Sequence, residues 1–211
     1  GVFHEHVGIP PMLYQLENKL NSIETGVAKG FGILHWGDAP GAAWRPDLEA
    51  PIQRNVHWTN GKYDAPHGSM YLYARSANRR VYEWFVAQCR HSVDTDVCHH
   101  SPDRWRYRGV HGETVNHLGD GMGLEFAWVE GMLDYYHETG DAFVLDTALG
   151  VGECEWVCYT EKKGRSGNAR QLGWPLSIFS TLYRETWDGL WLERAGDVFA
   201  VIRESVERTG S

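Results

Sequence analysis

Three stretches decide the fold: YLYARSANRRVYEWF at residues 71–85, DYYHETGDAFVLDTA at 134–148 and TLYRETWDGLWLERA at 181–195. Each carries a tyrosine (Tyr73, Tyr136, Tyr183), followed two positions later by Arg75, Glu138 or Glu185. A short turn comes next, and then Asn78, Asp141 or Asp188 heads a second apolar run. Asn and Asp favour such positions because the side-chain oxygen accepts an orphan N–H of the first helical turn. The tyrosines lie 63 and 47 residues apart, and the longer interval holds an extra loop around residues 97–117.

Working outward, helical periodicity predicts elements at 66–75, 78 to about 94, 120–138, 141 to about 160, 169–186 and 188–208. Pro66 stands in a first turn, where its missing N–H costs nothing. An amphipathic helix, MLYQLENKLNSI at 12–23, is expected upstream, followed by a Gly- and Trp-containing loop running to Asp64. Strand signals are poor. Helical hairpins cannot bury their apolar faces singly and stack on neighbours. The expected fold is all-α, with helical hairpins stacked as a partial α/α toroid, an incomplete (α/α)6 barrel, in a single domain over residues 1–211. Three hairpins and a leading helix make about half such a ring. The chain is therefore expected to be a fragment, or to need the rest of the toroid or a second chain.

Composition narrows the partners. Hydrophobic residues are 42% and charged residues 23% of the chain, a globular balance. A net charge of −8 argues against nucleic acid, which calls for a basic stripe. No apolar stretch approaches the roughly 20 residues of a membrane span, so no membrane partner is expected. The opening GVFHEHVGIP lacks an initiator Met and a signal-peptide pattern; it reads as a processed piece and points to no compartment. The four cysteines form no CxxC pair, and Cys154 and Cys158, four apart on one helix face, are expected to be buried thiols.

In a hairpin stack the first helices run parallel, so the loops entering them open on one rim. These loops are HWTNGKYDAPHG (57–68), HHSPDRWRYRGVHGETVNHLGDGM (99–122) and KKGRSGNARQLGWP (162–175). Loops on a rigid scaffold are where binding and catalysis concentrate. Arg104, Arg106, Arg108, Arg165 and Arg170 are expected to form a local positive patch there, suited to a carboxylate-bearing substrate. Seven histidines lie between His57 and His117, and His is the side chain that exchanges protons near neutral pH. Asp64 could equally be a helix cap beside Pro66, Asn116 or Asp120 could cap the next hairpin, and Trp174 could belong to the core.

His99, His100, His111 and His117 with Glu113 match no defined metal spacing; HGETVNH is not HExxH. No metal or other cofactor is expected. Paired-carboxylate glycoside hydrolysis has candidates in Asp64, Glu113 and Asp120. Proton abstraction beside a sugar carboxylate fits the residue types better. It needs a base such as His or Tyr, and Arg, Asn or His to hold the carboxylate and its enolate-like charge. Tyr63, His67, His111, His117, Asn60, Asn116 and Arg170 supply both kinds.

At these residues WTNGKYDAPHGSMYLYAR, HSVDTDVCHH, VHGETVNHLGDGM and ARQLGWPLSIFSTLYRETWD resemble the catalytic toroid of the exo-rhamnogalacturonan lyase family, the YetA-like proteins, over roughly residues 55–190. A family H-T-G-G turn reads His117-Leu118-Gly119-Asp120 here, and a D-V-D block reads Asp94-Thr95-Asp96. The resemblance implies an α/α toroid acting on acidic pectic oligosaccharides or polysaccharides by β-elimination. It carries over to Asn60, Tyr63, Asp64, His67, His99, His111, His117 and Arg170. His111 and His117 are expected nearest the proton transfer, with His67 also catalytic and Tyr63 as acid or base. Arg170 and Asn60 would hold the carboxylate. Trp58 and Trp174 would line a sugar platform, and Asp64, His99, Glu113 and Asn116 would contact substrate. A glycoside hydrolase on the same scaffold and a non-catalytic helical-repeat binding module are the alternatives.

Overall fold

The computed structural model describes residues 43–45, 50–52, 61–112 and 124–209. Among the described residues six helices form three hairpins: α1 (Ala65–Ser76) with α2 (Arg79–His91), α3 (Glu130–Thr139) with α4 (Ala142–Val157), and α5 (Ala169–Thr186) with α6 (Gly189–Thr209). Single π-helical turns, Ser92–Asp96 and Cys158–Lys162, extend α2 and α4. Inside the segment read as an upstream loop, β1 (Ala43–Arg45) pairs antiparallel with β2 (Ala50–Ile52), Ala43 opposite Ile52. The leading helix expected at 12–23 lies outside the described residues. Among the described residues no helix is long and apolar enough to cross a membrane.

The three joints share one construction. Ser76, Thr139 and Thr186 each turn a hydroxyl back onto the carbonyl four residues earlier, at 2.7, 2.7 and 2.8 Å. Ala77, Gly140 and Trp187 then adopt left-handed backbone, and each donates its N–H to Tyr73, Tyr136 or Tyr183. Asn78, Asp141 and Asp188 accept from the N–H two residues on, at 2.9, 3.0 and 2.9 Å. Their own N–H groups donate to the same Ser or Thr oxygens, each at 3.2 Å. The helix ends at these exposed joints are thus satisfied locally rather than left to solvent.

Stacking repeats as well. Cys89 of α2 sends its thiol to the Gly131 carbonyl of the next hairpin at 3.2 Å. The equivalent position in α4 is Gly152, where a Cβ would stand 2.4 Å from Leu182 and 2.9 Å from Trp191 of the third hairpin. In α6 the same position is Phe199, which is 54% exposed. The main core lies between the second and third hairpins, around Val144, Val151, Tyr159, Phe179, Leu182 and Val198. A smaller cluster of Ala65, Leu72, Val81 and Trp84 holds the first hairpin.

The helix expected from residue 120 starts instead at Glu130; residues 124–129 are non-helical. No side chain beside α3 caps it locally. The N–H groups of Glu130 and Gly131 are satisfied by Asp64, more than sixty residues away in sequence. Asn116 and Asp120, the local cap candidates, lie outside the described residues. Cys154 and Cys158 are buried free thiols, both directed at the Trp105 carbonyl.

Candidate functional site

The site begins at the turn before α1. Asp64 takes left-handed backbone (φ 54, ψ 51), which lets its carboxylate face two helix starts. It accepts the His67 N–H of its own helix at 3.3 Å. It also accepts from Glu130 at 3.1 Å and from Gly131 at 3.2 and 3.3 Å. One carboxylate therefore closes the positive ends of α1 and α3 together. The approach is close: a Cβ on Gly131 would lie 2.5 Å from Pro66 Cβ and 2.7 Å from both Asp64 Oδ1 and the His67 nitrogen. Burial pushes Asp64 up to about 7, against the lowering effect of His67 and of the N–H bonds it accepts.

On the first turn of α1, His67 Nδ1 meets Asp134 Oδ2 of α3 at 2.6 Å, with both side chains 25% exposed. Tyr71, one turn along α1, packs edge-on against the imidazole, with ring centroids 4.7 Å apart. Burial works against charge on His67, but the bond from Asp134, with Asp64 and Glu130 nearby, holds it above the ordinary histidine value. Glu130 in turn accepts from Thr181 of α5 at 3.0 Å and pairs with Arg184 at 3.5 Å.

On the other side of Asp64, Tyr63 stacks on Trp174 of α5, with centroids 6.1 Å apart and planes 12° apart. Trp128 closes the corner, 6.1 Å from Tyr63 and 5.5 Å from Trp174. Two cations sit over these rings. The Arg170 guanidinium lies 5.2 Å from the Tyr63 ring and 5.6 Å from Phe126. Lys62 Nζ lies 4.9 and 5.9 Å from the same rings. Arg170 also donates to the Glu125 carbonyl at 3.4 Å, and among the described residues no carboxylate pairs with it. A narrow cavity beneath is lined by Asp64, Pro66, Ser92, Val110, Trp128 and Met132.

The entrances to α1, α3 and α5 thus do meet. Tyr63, Arg170 and Trp174 come together through the ring and cation contacts, and Asp64 and His67 through the shared cap, with Tyr63 and Asp64 adjacent in the chain. His111 is buried, and its N–H donates to the Asp96 carbonyl at 2.8 Å. It follows Val110, which lines the cavity. His99 is elsewhere: Nε2 bonds the Val93 carbonyl at 2.6 Å, and the ring stacks on Phe143 in the first turn of α4. That is the far end of α3 from the Asp64 cap, on the order of 15 Å away for a helix of ten residues. Trp58, Asn60, Glu113, Asn116 and His117 lie outside the described residues.

The expected arginine patch is corrected. Arg104 pairs with Glu161, Arg108 with Asp146 and Arg165 with Asp197, at 3.0, 2.6 and 3.0 Å. These guanidiniums neutralise the protein's own carboxylates on and after α4 and on α6. The cations at the rings are Arg170 and Lys62. Among the described residues, no group of three or more His, Cys, Asp or Glu is arranged to hold a metal ion.

Asp134, Lys62, Phe126 and Trp128 were not singled out by the sequence. A signal for Asp134 existed in the joint alignment. Tyr71, Asp134 and Thr181 are equivalent positions, as are His67, Glu130 and Ser177. The contact from His67 to Asp134 is repeated, one hairpin on, by the contact between Glu130 and Thr181. Both link the first helix of one hairpin to the first helix of the next.

Compared with known protein families and with characterised proteins, the chain matches no family model and no characterised protein.

Proposed function

We propose that this chain is part of a carbohydrate-active enzyme, most specifically a lyase that cleaves a uronate-containing pectic saccharide by β-elimination. One observation carries the reading: two cations and three aromatic rings gather at Tyr63, near a partly buried histidine–carboxylate pair. Flat rings take the apolar face of a pyranose, and cation–π contacts hold Arg170 and Lys62 in place at about 0.5–1 kcal/mol each.

A uronate carboxylate placed against Arg170 and Lys62 would acidify the neighbouring C5–H bond. The base removes that proton, and the electron pair enters an enolate-like carboxylate stabilised by the two cations. The C4–O bond then breaks, and the leaving oxygen takes a proton. His67 and Tyr63 are the described groups able to exchange protons there. The resemblance of the surrounding motifs to exo-rhamnogalacturonan lyases supports the same chemistry and the partial α/α-toroid arrangement.

Incubation with rhamnogalacturonan oligosaccharides tests the reading. The expected result is a rise in ultraviolet absorbance from a conjugated unsaturated uronate, abolished in Arg170→Ala. Reducing ends released without that absorbance would replace elimination with hydrolysis.

A further inference from the structure

We propose that His67 and Asp134 work as one acid–base dyad, in which Asp134 fixes the imidazole so that Nε2 is the nitrogen that exchanges protons. Asp134 is a positioning residue in this scheme: it acts through His67. The assignment rests on reading this mouth as a catalytic site, and part of its test is independent of that reading.

The geometry starts from the hairpin repeat. His67 and Glu130 are equivalent positions on successive first helices, and so are Asp134 and Thr181. Each pair bridges neighbouring hairpins, His67 to Asp134 at 2.6 Å and Glu130 to Thr181 at 3.0 Å. A structural tie between these helices is satisfied by a neutral hydroxyl at the second link. The first link instead combines imidazole and carboxylate, the pairing whose proton is mobile near neutral pH.

Contact through Nδ1 has a definite consequence. A carboxylate accepts hydrogen bonds only, so the neutral imidazole carries its proton on Nδ1 and keeps the lone pair on Nε2. A separation of 2.6 Å is slightly shorter than the roughly 2.7–2.9 Å usual for a charge-assisted N–H···O bond. Tyr71 closes against the ring with planes 83° apart, so the imidazole is held between a carboxylate and an aromatic edge. Among the described residues, Nε2 has no hydrogen-bond partner.

Burial opposes charge on the ring, and the neighbouring carboxylates outweigh it. Asp64 from the turn before α1, with Glu130 and Asp134 from α3, favours the imidazolium. Arg184 from α5 reaches Glu130, and Tyr71 faces the ring from α1. The dyad therefore gives up its proton at a higher pH than an ordinary imidazole and becomes a base as pH rises. Elimination through Nε2 speeds up along that limb. The proton leaves C5 for Nε2 and the electron pair passes into the carboxylate-stabilised enolate; the C4–O bond then breaks as the C4=C5 double bond forms, and the leaving oxygen takes a proton from Tyr63 or from the His67 imidazolium.

The test is nitrogen-15 NMR of the histidine side chains in the whole chain, with His67 assigned through His67→Gln. At high pH the wild type is expected to show protonated Nδ1 and bare Nε2. The opposite tautomer would overturn the proposal, and this measurement needs no variant beyond the assignment. In Asp134→Asn the titration midpoint of His67 should fall by about one unit or more, the size of effect a carboxylate in contact produces. An unchanged midpoint would overturn it. On the oligosaccharide substrate, Asp134→Asn should lower kcat about 10- to 1000-fold with little change in KM, and move the acidic limb of the pH profile downward. Loss of activity with an unshifted limb would make Asp134 merely structural. Correct tautomer and shifted midpoint without unsaturated product would preserve the dyad and overturn the elimination chemistry.

Discussion

Gly131→Ala is the sharpest perturbation of the shared cap. The new methyl would stand 2.5 Å from Pro66 Cβ and 2.7 Å from Asp64 Oδ1 and from the His67 backbone nitrogen. Carbon atoms in ordinary contact are about 3.5–4.0 Å apart, so the starts of α1 and α3 must separate by about 1 Å. Two of the crowded atoms belong to backbone or a proline ring, and no rotamer change relieves them. Separation stretches the Gly131 N–H bonds to Asp64 from 3.2 and 3.3 Å to beyond hydrogen-bond length. Overpacking costs about 1–3 kcal/mol and a lost bond to the buried carboxylate about another 1–3. The better helix propensity of Ala returns about 1 kcal/mol. The net expectation is destabilisation of about 1–5 kcal/mol, centred near 3. Urea unfolding followed by circular dichroism measures it, with Gly173→Ala as control. A Cβ at Gly173 in α5 meets nothing within 4 Å, so that variant should gain about 0.5–1 kcal/mol. If Gly131→Ala matched Gly173→Ala, the close junction of the two helix starts would be refuted.

Three further outcomes follow from the packing and charge of the molecule. Gly152→Ala should cost about 1–3 kcal/mol through contact with Leu182 and Trp191, while Phe199→Ala at the equivalent exposed position should cost under about 1; paired urea midpoints decide this. Asp64, raised from 3.8 to about 7, holds its proton in the folded chain after the unfolded chain has released it. Its contribution of about 4 kcal/mol is therefore present below pH 4 and is lost as pH rises to 7. The raised His67 acts in the same direction at higher pH, so thermal unfolding should show stability falling from pH 4 to 8, and Asp64→Asn should flatten the lower part. Burial also drives Glu155 well above the usual carboxylate range, which favours its neutral form. Glu155→Gln should then change stability by less than about 1 kcal/mol at neutral pH, whereas an ionised buried carboxylate would make the two proteins differ strongly.

The hairpins were legible because their joints are local. Asn78, Asp141 and Asp188 cap helices that begin one residue later, and the aligned tyrosines accept the turn N–H groups. The start of α3 was not legible for the opposite reason. Its cap is Asp64, contributed by another hairpin, so residues beside Glu130 carry no stop or start signal. Loop arginines misled similarly: their partners Asp146, Glu161 and Asp197 lie on elements that only folding brings near. Tyr63, His67, Arg170 and Trp174 could be named from residue type and from their place beside helix starts. Asp134 could not be named by type, since a carboxylate in a helix is ordinarily a solvated one. Its equivalence to Thr181 and Tyr71 in the repeat was the available clue.

The central claim is elimination at the mouth formed by Tyr63, His67 and Arg170. Mass spectrometry of the cleavage products of a rhamnogalacturonan oligosaccharide tests it most directly, because elimination adds no water across the broken bond. The predicted result is a pair of fragments whose masses sum to that of the substrate, with the unsaturated end on the uronate. Fragments whose summed mass exceeds the substrate by one water would contradict the claim and assign the site to hydrolysis.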